Sequence, residues 1–413
     1  MSMPNYPDVS HKTLLAESSL SSVISDKTNI RKRVALIYFN AGGGHRAAAL
    51  ALQAELSNQY PEWEITLIDL FKALDPEEKF RRMTGFAPEA YYNKRLATGF
   101  TFGLTQELKV LQALIRMSHK HQIAKLNECW LRIKPSMVVS LVPNFNRAIG
   151  ESIKLVIPTS PFVTVMTDMS DFPPHFWVER GYTQHLICGT DYAVKQALLQ
   201  GIDPSHVYAS SGMILSPRFY DLNHFNRSDA RALLGFDFET PVGLVMFGGH
   251  GAASMIQIAK QLSDQPLIFI CGRNEKLRDL LSKLPTQAPR QVVGFTDDVA
   301  YWMKLADYFI GKPGPASITE ALHCELPVIV TRNAWTLPQE RWNADWVTEN
   351  NIGRVISSFK TIRNTVEQVI QNLDQLKRNV RLIKKNRALY EVVQILGQIL
   401  IQHQVTHEYQ MVS

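Results

Sequence analysis

Three glycine-rich segments, each between an apolar run and a helix-like pattern, carry the residues most able to do chemistry. They are Asn40–Arg46, Gly248–Gly251 and Gly311–Leu322. A turn of this kind leaves backbone N–H groups free at the positive end of a helix dipole, which is an anion site. Glu320, one turn into a helix predicted from Ile318 to His323, could accept hydrogen bonds from ribose hydroxyls. The third segment therefore indicates a nucleotide pocket, although a tight turn with a solvated Glu fits the same pattern.

The first two glycine loops narrow the class of enzyme. Neither ends in the Gly-Lys-Ser/Thr of a P-loop, which disfavours an ATPase. Neither fits G-x-G-x-x-G, so a dinucleotide enzyme has weak support. Because a strand, a glycine loop and a helix begin each half of the chain, we predict two doubly wound α/β domains that face a shared cleft.

Candidate catalytic groups lie in the first half. His45 ends a triple glycine just before a helix, so it could be a general base near neutral pH, or could bind a phosphate or cap the helix. Gly43 and Gly44 would let a ligand approach. Asp168 ends a strand on the side where ligands bind in open α/β sheets and could orient His45 or an acceptor hydroxyl, or form an Asx-turn. Trp177 could shape an apolar acceptor channel, although core packing is the commoner fate of Trp.

Further features of the second half converge on a nucleotide. The backbone at Phe295 and Thr296, between a strand and a helix, could bind the edge of a base. Gln339, Glu340 and Asn343 could share a helical face and present polar groups to sugar hydroxyls, and ordinary helix capping is equally compatible. The chain has no Asp-x-Asp pair, so we predict chemistry without a metal or another cofactor.

Apolar runs that alternate with helix-length segments predict parallel sheets. The strand candidates are 34–39, 65–68, 137–141, 162–166, 185–188, 207–209, 242–247, 267–271, 291–294, 308–310, 327–330 and 353–355. We predict a polar tail over residues 1–30 and a first Rossmann-like domain over 31–217. A second Rossmann-like domain follows over 218–385, and a helix within 386–413 packs back on the first domain.

Composition is typical of a globular protein: 413 residues, 45% hydrophobic and 20% charged. No apolar run approaches a membrane span, and the N-terminus lacks a signal pattern. The four cysteines are scattered without a C-x-x-C pair, which favours a reducing cytosol over disulfides or zinc.

Positive charge is concentrated in one region. Residues 72–134 hold twelve Lys and Arg against six Asp and Glu, which equals the net charge of +6 of the whole chain. Aromatic residues are interspersed there, and a long amphipathic pattern follows from Leu104 to Trp130. Such a mixture suits an anionic membrane surface. A solvated helical face is the plain alternative, and nucleic acid is disfavoured because no nucleic-acid module is present.

These motifs together resemble family 28 glycosyltransferases of the GT-B fold. The likeness is greatest to monogalactosyldiacylglycerol synthases and processive diacylglycerol glucosyltransferases, and it spans about Arg31 to Ile356. The segments that carry it are Gly42–Ala47, Thr167-Asp168, Trp177-Val178, Gly189–Val194, Leu267–Asn274, Gly311–Leu322 and Gln339-Glu340 with Asn343. The chain departs from the family pattern at Ile214 and Ser216, where Pro and Arg are usual, and at Val142-Pro143-Asn144, where His-Pro is frequent.

The resemblance implies an inverting transferase that moves galactose or glucose from a UDP-sugar to diacylglycerol or a related lipid, at the cytoplasmic face of a membrane. His45 would be the base or would assist Asp168, Glu320 would hold the ribose, and Gln339, Glu340 and Asn343 would hold the donor sugar. The remaining donor-side residues would be Gly248, Gly249, Arg273, Phe295, Thr296, Gly314, Pro315, Ala316 and Ser317, and those on the acceptor side Gly43, Gly44 and Trp177.

Other functions stay open from the sequence. The acceptor could be polyprenyl-linked or a small molecule. The chain could also be a non-catalytic module that binds sugar nucleotides or membranes, or a UDP-sugar 2-epimerase of similar architecture.

Overall fold

The computed structural model describes residues 31–40, 44–78, 82, 112–113, 115–181, 183–221 and 226–412. The predicted polar tail (1–30), Gly43 and most of the basic, aromatic region lie outside the described residues. Side chains are described as far as residue 405.

The first domain contains six strands and their helices. The strands are β1 (Arg33–Tyr38), β2 (Glu64–Asp69), β3 (Met137–Ser140), β4 (Phe162–Val165), β5 (His185–Cys188) and β6 (Val207–Ala209). The described helices are α1 (Gly44–Gln59), α2 (Leu70–Leu74), α3 (His119–Ile133), α4 (Asn146–Val156) and α5 (Asp191–Leu199). Short 3₁₀ turns span Pro204–His206 and Pro217–Phe219.

The second domain repeats this plan. Its strands are β7 (Gly243–Met246), β8 (Leu267–Ile270), β9 (Arg290–Val293), β10 (Tyr308–Gly311), β11 (Val328–Thr331) and β12 (Gly353–Ile356). The described helices are α6 (Arg227–Leu233), α7 (Ser254–Gln261), α8 (Glu275–Lys283), α9 (Val299–Leu305), α10 (Pro315–His323), α11 (Arg341–Glu349), α12 (Ile362–Gln371), α13 (Leu373–Leu382) and α14 (Ala388–Val412). Short 3₁₀ turns span Pro338–Glu340 and Phe359–Thr361.

Both sheets are six-stranded and all their described strand pairs are parallel. The first has the order β2-β1-β3-β4-β5-β6 and the second β12-β11-β10-β7-β8-β9. Helices cover both faces, so several strands, such as β3, β7 and β10, are buried at every residue. Strand order reverses between β1 and β3 in the first sheet and between β7 and β10 in the second. Ligands of open α/β sheets bind at the carboxyl ends of the strands beside such a reversal.

All twelve predicted strands are present, and each end lies within one residue of the prediction. Two helices begin earlier than predicted: α1 at Gly44 rather than Ala47, and α10 at Pro315 rather than Ile318. Proline fits the first position of a helix because its fixed φ is helical and its missing N–H would have no partner there. Glu320 consequently lies in the second turn of α10, not the first.

The C-terminal helix α14 packs against the first domain although it follows the second in sequence. Its apolar face, which includes Leu389, Val393 and Leu396, joins the cluster that contains Leu52 and Leu56 of α1. The segment between α13 and α14, residues 383–387, is called the hinge segment below. Its Asn386 is buried and donates from Nδ2 to the Met213 carbonyl at 2.9 Å, which ties the chain crossing to the first domain.

Candidate active site

The first-domain part of the site centres on His45, in the first turn of α1. Its Nδ1 lies 2.9 Å from the carbonyl oxygen of Leu141, just beyond β3, and 2.9 Å from Oγ1 of Thr167, just beyond β4. A carbonyl oxygen only accepts hydrogen bonds, so Nδ1 must carry the proton. In the neutral ring Nε2 then holds a lone pair, which is the state a proton acceptor requires.

The surroundings of His45 keep it neutral. Burial lowers its pKa to about 4, against the smaller opposing effect of the hydrogen bond to Leu141. The ring lies edge-on to Phe39 at 5.8 Å and beside Trp177 at 6.1 Å, measured between ring centroids. At pH 7 the imidazole is therefore uncharged and oriented.

Asp168 follows Thr167 in sequence but does not orient His45 through Nδ1, since Leu141 and Thr167 occupy that atom. Its Oδ2 accepts a hydrogen bond from Nε1 of the buried Trp177 at 2.9 Å. Burial raises the pKa of Asp168 to about 7, although the Trp177 hydrogen bond opposes the rise. Asp168 is thus a carboxyl group that changes charge near neutral pH.

Asp171, which the sequence did not single out, holds Trp177 in place. This carboxylate is 1% exposed. Its Oδ1 accepts from the Trp177 backbone N at 2.6 Å, and its Oδ2 accepts from His175 N at 3.0 Å and Gln200 Nε2 at 2.6 Å. The buried Asp171 carboxylate therefore organises the loop between β4 and β5. By fixing the Trp177 backbone, it also positions the indole that donates a hydrogen bond to Asp168.

The second-domain part of the site begins at α10. Its N-cap, Gly314, has no side chain to cap the helix, and Pro315 has no N–H. The N–H groups of Ala316 and Ser317 are left pointing out of the first turn, where the helix dipole favours an anion. Gly314 itself is held by a hydrogen bond from its N–H to the Lys312 carbonyl at 2.8 Å.

Polar groups from the loop after β11 close on the same turn. Glu340, 5% exposed, accepts a hydrogen bond on Oε1 from Lys312 Nζ at 2.6 Å. Asn343 is fully buried and donates from Nδ2 to the Pro313 carbonyl at 2.8 Å, so its amide nitrogen fixes the α10 turn. Gln339 is half-buried beside them.

The glycine loop after β7 is interlocked with the loop after β8. Arg273 N donates to the Gly249 carbonyl at 2.9 Å. Gly272 has φ +59°, and a Cβ there would lie 2.3 Å from the same carbonyl oxygen, so only glycine fits. The Arg273 guanidinium lies over the exposed Phe295 ring at 4.9 Å. Thr296 Oγ1 accepts from Asp298 N at 3.0 Å, which shapes the turn after β9.

Glu320 lies on α10, beyond the open first turn. Burial raises its pKa to about 8. Within the described part of the chain its carboxyl group makes no hydrogen bond. A half-buried carboxyl group without a partner, beside an anion site, can accept hydrogen bonds from ligand hydroxyls.

Together these loops line one edge of the second sheet in strand order. From β9 to β11 the edge presents Phe295 and Thr296, then Arg273, then Gly248 and Gly249, then Gly314–Ser317, and finally Gln339 and Glu340. The open turn of α10 lies at the strand-order reversal, in the middle of this row. The row therefore offers an anion site with polar groups on both sides.

The two halves face each other across the cleft. Glu340 raises and Lys312 lowers the pKa of Asp168, after the larger effects of burial and Trp177, so both act on it across the gap. Tyr192 of α5 in the first domain also stacks on Trp342 of α11 in the second, with ring centroids 4.5 Å apart and planes 12° apart. The reacting groups of the first domain thus lie opposite the polar end of the row.

Two absences concern the residues that the structure describes. No group of three or more His, Cys, Asp or Glu side chains among them is placed to hold a metal ion. In the same part of the chain, every helix is too short or too polar to cross a membrane.

The structure brings His45, Gly44, Asp168 and Trp177 together, and it places the predicted donor-side residues along the facing sheet edge. Sequence reasoning missed the partners that hold them, namely Leu141, Thr167, Asp171 and Lys312. Lys312 stands inside the quoted Gly311–Leu322 segment, but nothing local indicated its ion pair with Glu340, 28 residues away.

Two family models match almost the whole described chain. Residues 45–211 match "Monogalactosyldiacylglycerol (MGDG) synthase" and residues 244–411 match "Glycosyltransferase family 28 C-terminal domain". The chain belongs to glycosyltransferase family 28. It is therefore a transferase enzyme, and the predicted family is confirmed.

Similar proteins agree with this assignment. The monogalactosyldiacylglycerol synthase of Spinacia oleracea is 27% identical over 408 residues, which cover 92% of this chain and 74% of that one. Among solved structures, Acinetobacter baumannii MurG aligns with a TM-score of 0.53 at 13% identity, covering 89% of this chain and 99% of that one. The UDP-GlcNAc 2-epimerase of Neisseria meningitidis aligns with a TM-score of 0.57 at 14% identity, covering 90% and 100%. At such identities the structures show the fold alone, and the predicted GT-B fold is confirmed.

Proposed function

We propose that this transferase moves galactose from UDP-galactose to the free hydroxyl of diacylglycerol, with inversion at the sugar carbon. The observation that carries the proposal is the facing pair of sites: a neutral histidine with a free Nε2 lone pair, opposite an uncapped helix turn flanked by polar groups. The names of the similar synthases support galactose as the sugar and diacylglycerol as the acceptor.

The donor would lie along the row of loops on the second sheet. Its diphosphate would accept hydrogen bonds from the N–H groups of Ala316 and Ser317. Glu320 would accept hydrogen bonds from the ribose, and the uracil would lie towards Phe295 and Thr296. The hexose would then lie at the other end, towards Gln339 and Glu340, which is the end that faces Asp168.

The reaction is a single displacement. The acceptor hydroxyl oxygen forms a bond to the anomeric carbon while the bond from that carbon to the β-phosphate oxygen of UDP breaks. His45 Nε2 takes the hydroxyl proton, and the leaving electron pair stays on UDP, where the α10 turn stabilises it. Positive charge develops on the sugar ring and on the imidazole, and the ionised Asp168 stabilises both. No metal takes part in this scheme.

The acceptor is a membrane lipid, so the enzyme would work at an anionic bilayer surface, on its cytoplasmic face. The excess of basic residues between 72 and 134, mixed with aromatics, supports this placement. The buried rings of Trp177 and Phe39 pack against His45 and make its surroundings apolar.

The test is product formation from radiolabelled UDP-galactose and UDP-glucose, each with diacylglycerol in vesicles that contain anionic lipid, resolved by thin-layer chromatography. We expect a labelled galactolipid from UDP-galactose. A labelled glucolipid from UDP-glucose instead would show that the transferred sugar is glucose. The absence of a lipid product despite UDP binding would refute diacylglycerol as the acceptor. Conversion of the UDP-sugar without any acceptor would indicate an epimerase.

His45→Gln tests the proton acceptor in the same assay. The variant keeps a hydrogen-bonding group but removes the basic nitrogen, so we expect kcat to fall about a hundredfold or more. UDP affinity, measured by calorimetry, should stay within twofold of wild type because His45 belongs to the facing domain. Unchanged turnover would remove His45 from the mechanism.

A further inference from the structure

A second cavity lies away from the reacting groups, at the other end of α10. Its volume is about 700 Å³, and its walls come from the second domain, the hinge segment and the first-domain residues Met169, Gly189, Thr190 and 211–213. His45, Asp168 and Glu340 are not among its walls. A volume of this size is typical of small-molecule sites.

The walls of this cavity are strongly basic. Six cationic side chains line it, against the single carboxylate of Glu325: Arg227, Lys304, Lys377, Arg381, Lys384 and Lys385. In a concave site with protein walls, such a set raises the local concentration of anions.

Behind the wall of the cavity, the buried carboxylate of Asp307 is also outnumbered by cations. Asp307 forms ion pairs with Arg227 at 2.7 Å, with Lys377 at 2.9 Å and with the buried Arg231. Three cations thus surround one anion. Arg227 also donates to the carbonyls of Lys304 and Ala306, which holds its guanidinium at the wall.

Three of the other cations are incompletely neutralised. Arg381 pairs with Glu325 at 2.7 Å, and Lys384 lies 4.0 Å from Glu391. Lys385 has no ion pair or hydrogen bond within the described part of the chain. Counting Arg231 and leaving out Lys304, six cations in this region face the three carboxylates of Asp307, Glu325 and Glu391, and the half charge at the end of α10 offsets little of the excess.

We propose that this cavity binds a phosphate-bearing anion. A phosphate group carries up to two charges and three strong acceptor oxygens, which suits several Lys and Arg side chains at once. Apolar walls from Met213, Phe219 and Trp346 would contact the organic part of the ligand. Because both domains and the hinge segment line the cavity, a bound ligand would contact all three. Their relative positions set the width of the cleft.

Calorimetric titration with inorganic pyrophosphate tests the site in 0.15 M salt, with the protein first saturated with UDP so that the α10 turn is occupied. We expect one pyrophosphate to bind. The double variant Lys377→Gln/Lys385→Gln should weaken it about tenfold or more, the loss typical of removing a charged hydrogen bond. Asp307 keeps Arg227 and Arg231 as partners there, so the fold should persist, and unchanged UDP affinity would verify this.

The matched control is Lys260→Gln/Lys283→Gln, which removes the same charge from exposed positions on α7 and α8. It should bind pyrophosphate like wild type. If both double variants bound pyrophosphate equally weakly, the effect would come from net charge alone, and the proposed site would be refuted.

A second experiment distinguishes a lipid headgroup from a soluble phosphate compound as the natural ligand. UDP-saturated proteins are floated with phosphatidylcholine vesicles with and without phosphatidic acid. If the natural ligand is a lipid headgroup, phosphatidic acid should recruit wild type and the control better than the Lys377/Lys385 variant. If it is a soluble phosphate, all three should float alike while the pyrophosphate difference stands. Absence of any difference in both arms would overturn the proposal.

Discussion

Replacing Trp177 by Phe should shift the pH dependence of turnover to higher pH. Trp177 donates a hydrogen bond that lowers the pKa of the Asp168 carboxyl group. Asp168 has a pKa of about 7 with this bond in place. In the proposed reaction the ionised form is active, so kcat/KM rises with pH through about 7. His45, with a pKa of about 4, contributes no inflection near neutrality.

The size of the effect follows from the lost bond. A hydrogen bond to a charged group contributes about 1.5–3 kcal/mol, and 1.36 kcal/mol corresponds to one pKa unit. Removing the indole N–H disfavours the ionised form, so the midpoint should rise from about 7 to about 8 or above. At pH 7 the ionised fraction then falls from about one half to about one tenth. We expect about fivefold slower turnover at pH 7 and recovery towards the wild-type rate above pH 9.

The assay is initial-rate kinetics with UDP-galactose and diacylglycerol in mixed micelles between pH 5.5 and 9.5. Trp302→Phe is the matched control, since Trp302 lies on α9 and contacts Tyr301 rather than Asp168. A midpoint near 7 that stays in place in Trp177→Phe would refute its assignment to Asp168. A profile without an inflection between pH 6 and 9 would refute the need for an ionised Asp168.

Three further predictions concern groups that hold the site. Asp171→Asn should lower stability by about 2 kcal/mol in thermal unfolding and reduce kcat, because it weakens the bonds that place Trp177; unchanged kcat would separate this loop from catalysis. Glu320→Ala, which removes the hydrogen-bonding group, should weaken UDP binding at least tenfold in calorimetry, whereas equal affinity would place the ribose elsewhere. Gly272→Ala should cost at least about 2 kcal/mol of stability, because its Cβ would meet the Gly249 carbonyl at positive φ; an unchanged melting temperature would contradict this.

The strands were predictable because parallel sheets covered by helices require continuous apolar runs, such as Leu267–Ile270 and Tyr308–Gly311. Helix starts were less predictable. The sequence pattern predicts a turn at Gly314 and Pro315, whereas the proline is the first residue of α10. Strand order could not be predicted either, because nothing local states that β1 lies between β2 and β3.

In the site, residue types at the strand ends indicated where His45, Asp168 and Glu320 belong, since each follows an apolar run directly or by one turn. Their chemical states depend on partners distant in sequence. The proton on His45 is placed by Leu141, 96 residues away. The state of Asp168 depends on Trp177, which depends in turn on the buried charge of Asp171. Sequence patterns indicate candidate groups, but the tertiary structure determines which of them is a base.

The same dependence extends to the cleft, because neither domain contains the complete site. The histidine and aspartate belong to the first sheet, and the anion turn to the second. Their separation is therefore set by the contacts between domains. In the described part of the chain they include an aromatic stack of Tyr192 on Trp342, a buried polar link through Asn386 at the hinge segment and the packing of Leu215 into the core of the second domain. A stack can open at modest cost, whereas a buried amide that loses its partner leaves an unsatisfied polar group. We therefore expect the side of the cleft at Tyr192 and Trp342 to open more readily for substrates than the side at the hinge segment.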